Sequence, residues 1–182
     1  MHYKSLYSVY FVILLASVTS VQAATVSLNN SFLDVNQGDV FSLTVQGSGF
    51  PDISGGGINF SFNSSVVQIN SVTINTSVFT FASGTGTLDN SMGTLIDTYF
   101  NTFAGTGSSF DIMTIDFEAI GVGSSSLLMS GSSMFPFADE FGGVVDVTYE
   151  SATINVSAVP LPAAVWLFGI GLLALVGCSS KK

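Results

Sequence analysis

Between Thr25 and Ala158 apolar and polar residues alternate with a period of two. In "VFSLTVQG" Phe41, Leu43 and Val45 alternate with Ser42, Thr44 and Gln46. In "GINFSFN" Ile58, Phe60 and Phe62 alternate with Asn59, Ser61 and Asn63. Such alternation marks a strand with one face in a core and the other in water. "FDIMTIDFEAIG" places Met113, Ile115, Phe117 and Ala119 on one face and Asp116 and Glu118 on the other; "VVDVTYES" turns Val145, Val147 and Tyr149 inward. Further strands are predicted in "ATVSLN", "VVQINSVTI", "SVFTFAS", "TLIDTYFN", "SSLLMSG" and "SATINVS". Gly and Ser clusters such as "GSGFPDISGGG", "SGTGT" and "GVGSSS" separate them as turns and loops, and no helical period intervenes. The pattern predicts an all-β domain, an antiparallel β-sandwich or jelly-roll of about eight to ten short strands.

The two ends follow other rules. Residues 1–23 combine Lys4, the apolar run "VYFVILLASV" and small residues before Ala23, the features of a secretory signal peptide cut at Ala23. At the other end, residues 159–182 contain Pro160, Leu161 and Pro162, then an unbroken apolar run from Ala163 to Gly177, then Lys181 and Lys182. As a helix that run would span about 23 Å, the scale of a thin bilayer core. Terminal lysines favour the cytoplasmic side, and the prolines mark an extended segment at the helix entrance. The expected organisation is a signal peptide (1–23), a β-sandwich (24–158) and a C-terminal tail with a transmembrane helix (159–182).

Charge narrows the function. All 12 Asp and Glu lie in the central segment and all three Lys lie outside it, so that segment carries −12 with no basic partner. Such a surface repels phosphate, which excludes nucleic acid as a partner. Cys178, the sole cysteine, lies in the tail, so no intramolecular disulfide forms and packing supplies the stability.

Without His, Lys, Arg or Cys the central segment has neither a conventional base for a serine nucleophile nor a cationic clamp for phosphoryl transfer. The carboxylate pairs Asp116/Glu118 and Asp139/Glu140 read as solvent-facing strand and loop residues rather than a glycosidase pair. No enzyme is predicted. Asp34 and Asp39 in "LDVNQGD", with Asp139 and Glu140 in "FADEFGG", are the candidate calcium ligands, because hard cations take carboxylates and loop carbonyls. Tyr99, Phe100 and Phe103 in "DTYFNTF", with Phe135 and Phe137 in "MFPFADEF", are the candidate aromatic platform for a ligand.

Two resemblances extend these readings. The succession "VSLNNSFLDVNQGDVFSLTVQGSG", "GGGINFSFNSSVVQINSVTI", "TLIDTYF", "IMTIDFEAIGVGSSSLLMSG" and "VVDVTYESATINV" resembles the extracellular cohesin-like domains, nine-stranded sandwiches related in fold to bacterial carbohydrate-binding domains. It implies a non-enzymatic module for a protein or polysaccharide ligand. The tail "VPLPAAVWLFGIGLLALVG" resembles the PEP-CTERM sorting signal, with Leu161 where the name-giving Glu stands. This second likeness implies an exosortase-type sorting enzyme as partner, acting at Pro160-Leu161-Pro162 while the basic end at Lys181 and Lys182 holds the tail in the membrane. The protein is then expected at the cell surface or in an exopolysaccharide matrix.

Overall fold

The computed structural model describes residues 23–159 together with Leu167, Phe168 and Ile170. Thirteen strands succeed one another: β1 (Ala24–Leu28), β2 (Phe32–Asn36), β3 (Val40–Ser48), β4 (Ile53–Ser61), β5 (Val67–Ile74), β6 (Ala82–Gly84), β7 (Thr87–Asp89), β8 (Thr94–Asn101), β9 (Ser109–Ala119), β10 (Gly123–Gly131), β11 (Ala138–Asp139), β12 (Val147–Tyr149) and β13 (Ala152–Ser157). Nine of them have five or more residues and the other four are short additions. One sheet runs β12-β1-β3-β9-β5 and the other β2-β13-β10-β4-β8-β6, with β11 added to β4 and β7 to β8.

The alternation read from the sequence becomes the core of an all-β sandwich. Leu43, Val45, Ile115 and Phe117 face inward from the first sheet; Ile58, Phe60, Leu95, Phe100 and Leu127 face them from the second, all buried. Phenylalanines knit the layers. Phe117 stacks on Phe41 at 5.6 Å and meets Phe62 edge-on at 6.4 Å, while Phe79 packs on Phe100 at 4.5 Å.

The pairing is not wholly antiparallel. β1 runs parallel to β12, with Ala24 opposite Val147, and β2 runs parallel to β13, with Leu33 opposite Ile154. The cause is a double crossing. Beyond Leu28 the chain leaves the first sheet to form β2 in the second, and beyond Tyr149 it does the same to form β13. Backbone bonds from Glu150 to Val26 and from Thr153 to Ser31 fasten the two crossings together.

Three local departures follow from turn chemistry and bulges. "SVFTFAS" contributes only Ala82 and Ser83 to β6, because the Asn75 carbonyl accepts the Val78 and Phe79 amides and its side chain accepts that of Ser77, closing a turn that drops Phe79 into the core. A register shift puts both Ile112 and Met113 inside. In "VVDVTYES" only Val147–Tyr149 is a strand, Val144 making an isolated bridge to Ala138.

Among the described residues no helix is long and apolar enough to cross a membrane. The signal peptide up to residue 22, the sorting motif Pro160-Leu161-Pro162 and the basic end Lys181-Lys182 lie outside the described residues.

Candidate binding surfaces

The two outer faces of the sandwich differ in chemistry. Across the first sheet, polar side chains meet in register. Ser42 and Ser71 flank Asp116 from neighbouring strands and donate to its two oxygens at 2.6 and 2.5 Å. Those hydroxyls, Ser42 foremost, hold the Asp116 carboxyl below the usual range, since they bond its charged form. One row along, Gln68 and Asn70 donate to Glu118 at 3.0 and 3.3 Å. The pair Asp116/Glu118 is thus a structural ladder. With no basic side chain in residues 23–159, hydrogen bonds from hydroxyls and amides do what ion pairs do elsewhere.

The second sheet presents apolar and aromatic groups. On β8 a register shift sets Asn59 of β4 against the bulged pair Ile96 and Asp97. Asp97 holds a left-handed backbone at φ 56°, the one non-glycine residue so placed among the described residues. Its amide donates to Asn59 Oδ1 at 2.7 Å, and its carboxylate accepts the Ser132 hydroxyl at 2.7 Å. Beside it Tyr99 stacks on Phe135, with centroids 4.6 Å apart and an interplanar angle of 26°. Gly57 lies under this pair: a Cβ there would sit 2.7 Å from Phe135 Cβ and 2.8 Å from the Thr98 carbonyl. Ile96 and, on β10, Leu128 are exposed on the same face.

The predicted platform is therefore divided. Tyr99 and Phe135 form a half-buried pair on this outer face, whereas Phe100 and Phe137 are core residues, 0% and 3% exposed, and are unavailable to a ligand. Phe137 folds inward because the loop after β10 wraps over Gly56, whose missing side chain leaves room for the ring, and there it meets Phe50 at 5.3 Å. Phe103 stands in solvent at 83% exposure and packs at a tilt against Phe81, ring centroids 4.2 Å apart, a partner without a signal in the sequence.

Of the predicted calcium ligands, Asp39 and Asp139 cap their own turns and Asp34 is tied to a neighbouring strand. Asp39 accepts the Asn36 amide at 2.8 Å, Asp34 the Asn155 side chain at 3.3 Å, and Asp139 the amides of Phe141 and Gly143 at 2.9 and 2.7 Å. Glu140, exposed, edges a small cleft with Phe103 and Ile53. Among the described residues no three acidic, His or Cys side chains gather to hold a metal ion. The Asx-type bonds orient Asp39 and Asp139 toward their own turns.

Ile96, Asp97, Asn59 and Leu128 were not singled out from sequence. The signal was a broken parity: in "TLIDTYF" the inward residues are Leu95, Thr98 and Phe100, a three-residue step that an unbulged strand cannot make.

Searches against protein-family models and against curated proteins return no match. Solved structures do match. A non-cellulosomal cohesin from the archaeon Archaeoglobus fulgidus superposes with a TM-score of 0.61 at 14% identity, over 79% of this chain and 96% of that one. The CaCohA2 domain of Clostridium acetobutylicum matches with a TM-score of 0.57 at 20% identity, over 76% and 94%. A type I cohesin–dockerin complex from Clostridium thermocellum matches with a TM-score of 0.60 at 12% identity, over 75% and 100%. The described β-sandwich thus has the cohesin fold.

Proposed function

We propose that this protein is an exported, non-enzymatic binding module that docks a protein partner on the outer face of the β10-β4-β8 layer. The supporting observation is the contrast between its faces. One is mainly polar; the other exposes Ile96 and Leu128 beside the Tyr99–Phe135 pair, with Asp97 as a fixed acceptor among them. Apolar side chains around a few placed polar groups make a surface suited to protein recognition. Cohesin-fold neighbours include domains solved in complex with dockerins, which favours a protein ligand over a polysaccharide on this face.

The ends supply delivery. The signal peptide directs export, the apolar tail halts it, and an exosortase-type enzyme acts at Pro160-Leu161-Pro162, leaving the sandwich at the cell surface or in an exopolysaccharide matrix. Intact-mass measurement on the protein from its native host tests this part. A product ending near Val159 supports sorting; one retaining Trp166 and the terminal lysines refutes it.

Docking is tested with the immobilised protein and purified host extracellular proteins. Saturable binding is expected, weakened about tenfold by Ile96→Asp or Leu128→Asp, the usual cost of losing an interface anchor. Absence of saturable binding to any of them favours a second reading, a passive coat protein whose acidic, Ser- and Gly-rich surface hydrates the matrix.

A further inference from the structure

The polar face of the first sheet has two halves. In one, Ser42, Asp116, Ser71, Gln68 and Glu118 satisfy one another. In the other, centred on Asp111, the side chains are only partly engaged. Gln46 Nε2 donates to Asp111 Oδ1 at 2.8 Å, which leaves Asp111 Oδ2 and Gln46 Oε1 without a protein partner among the described residues. Thr44, Thr114 and Thr73 stand side by side on three strands, and none of their hydroxyls bonds to protein among the described residues.

The shape of this half is also distinct. The bulge that turns both Ile112 and Met113 inward bends β9 at Asp111, and a shallow depression opens on each side of that residue. Ser27, Ser48 and Ser109 edge one; Thr73, Asn75 and Ser77 edge the other. Asp111 borders both, so the two depressions meet at this residue and together make a polar groove with Asp111 at its middle.

Its lining selects the chemistry of an occupant. No basic side chain exists in residues 23–159, so a phosphorylated or uronic-acid chain would meet only repulsion. No exposed large apolar side chain lies in the groove, so it offers an apolar peptide no anchor. What remains is a row of hydroxyls with a carboxylate and an amide carbonyl as free acceptors, matched to a ligand that brings many O–H donors. Two depressions in line suit several consecutive units rather than one. We propose that this groove binds an extended neutral polysaccharide, with Asp111 and Gln46 as its central contacts. The site lies on the opposite sheet from the protein-docking face and does not depend on it.

Affinity electrophoresis of the full chain in gels containing soluble neutral polysaccharides tests the proposal. The panel is dextran, a mixed-linkage β-glucan and a galactomannan, with alginate as the charged control. Saturable retardation is expected in at least one neutral polymer and not in alginate. Asp111→Asn and Gln46→Ala should each weaken it at least fivefold with the melting temperature retained. Ile96→Asp, on the other sheet, should leave it unchanged while weakening protein docking. If Asp111→Asn lowers the melting temperature, Thr114→Val decides instead, by removing a groove hydroxyl at nearly constant shape. No retardation by any neutral polymer, equal retardation by alginate, or retardation indifferent to Asp111, Gln46 and Thr114 overturns the proposal.

Discussion

The side-chain amide of Asn90 pairs with the backbone of Ile69 as another strand would: Nδ2 donates to the Ile69 carbonyl, and Oδ1 accepts the Ile69 amide, both at 2.9 Å. β5 is the edge of its sheet, and Ile69 sits where its register shifts. One residue thereby closes part of an edge that could otherwise recruit a second chain. Asp89 sets up the contact by accepting the Ser91 hydroxyl and the Ser91 and Met92 amides, which folds the turn that presents Asn90. Asn90→Ala should lower stability by about 1–3 kcal/mol, the cost of two unsatisfied, partly buried backbone groups. Chemical denaturation measures that loss, and light scattering should show concentration-dependent association absent from the parent.

Gly57→Ala should be as damaging, although it adds only a methyl group. The new Cβ would press on Phe135 and on the Thr98 carbonyl, and the carbonyl belongs to the paired β8 backbone. A loss of about 1–3 kcal/mol is expected from overpacking. Near-ultraviolet circular dichroism should change with it, because the Tyr99–Phe135 stack is what must move.

The ladder around Asp116 predicts an acid response of defined sign. Its folded-state carboxyl is depressed by Ser42 and Ser71, so the stabilisation is complete above the unfolded pKa of about 3.9 and is lost as pH falls through the lower folded value. The melting-temperature difference between the parent and Asp116→Asn should therefore be constant from neutral pH to roughly pH 5 and shrink below about pH 4. A difference that persisted at the lowest pH would assign the effect to packing.

Tyr149 gives the opposite case at alkaline pH. Burial raises its phenol pKa, so the folded state keeps the proton that the unfolded chain releases. Stability from this group is full below about pH 10 and lost as pH climbs through the raised value. Tyr149→Phe should remove that part of the alkaline decline, read as melting temperature against pH.

Calcium and magnesium should raise the melting temperature by similar amounts. Asp39 and Asp139 cap separate turns, Asp34 is tied to Asn155 on a neighbouring strand, and no three acidic side chains gather among the described residues, so added cations act by screening −12 of unpaired charge. A saturable effect of calcium that magnesium does not reproduce would reveal an assembled site.

Periodicity carried the sandwich because each inward residue is named by its strand's parity; Leu43, Val45, Ile115 and Phe117 are all buried as that parity requires. It failed where parity changes within a strand, at Ile112/Met113 and Ile96/Asp97, since a bulge costs one residue and leaves no compositional mark. In "DTYFNTF" the same parity separates Tyr99 and Phe103 outside from Phe100 inside, so the mixed platform was an error of pooling neighbours by residue type. Phe137 and the parallel pairings depend on contacts remote in sequence. Neither the path of the loop across Gly56 nor the double crossing has a local signature.

That double crossing also sets a timetable. β2 has no neighbour but β13, and β1 shares one of its two edges with β12, so the first strands made wait for the last. Until residue 157 is free to pair, the seam between the sheets stays open and Phe32 to Asn36 have nothing to lie against. Contacts of such long sequence separation make closure a late, slow event. A chain built this way can pair β3, β9, β4 and β8 early, yet it completes its fold only once its last strand is in place.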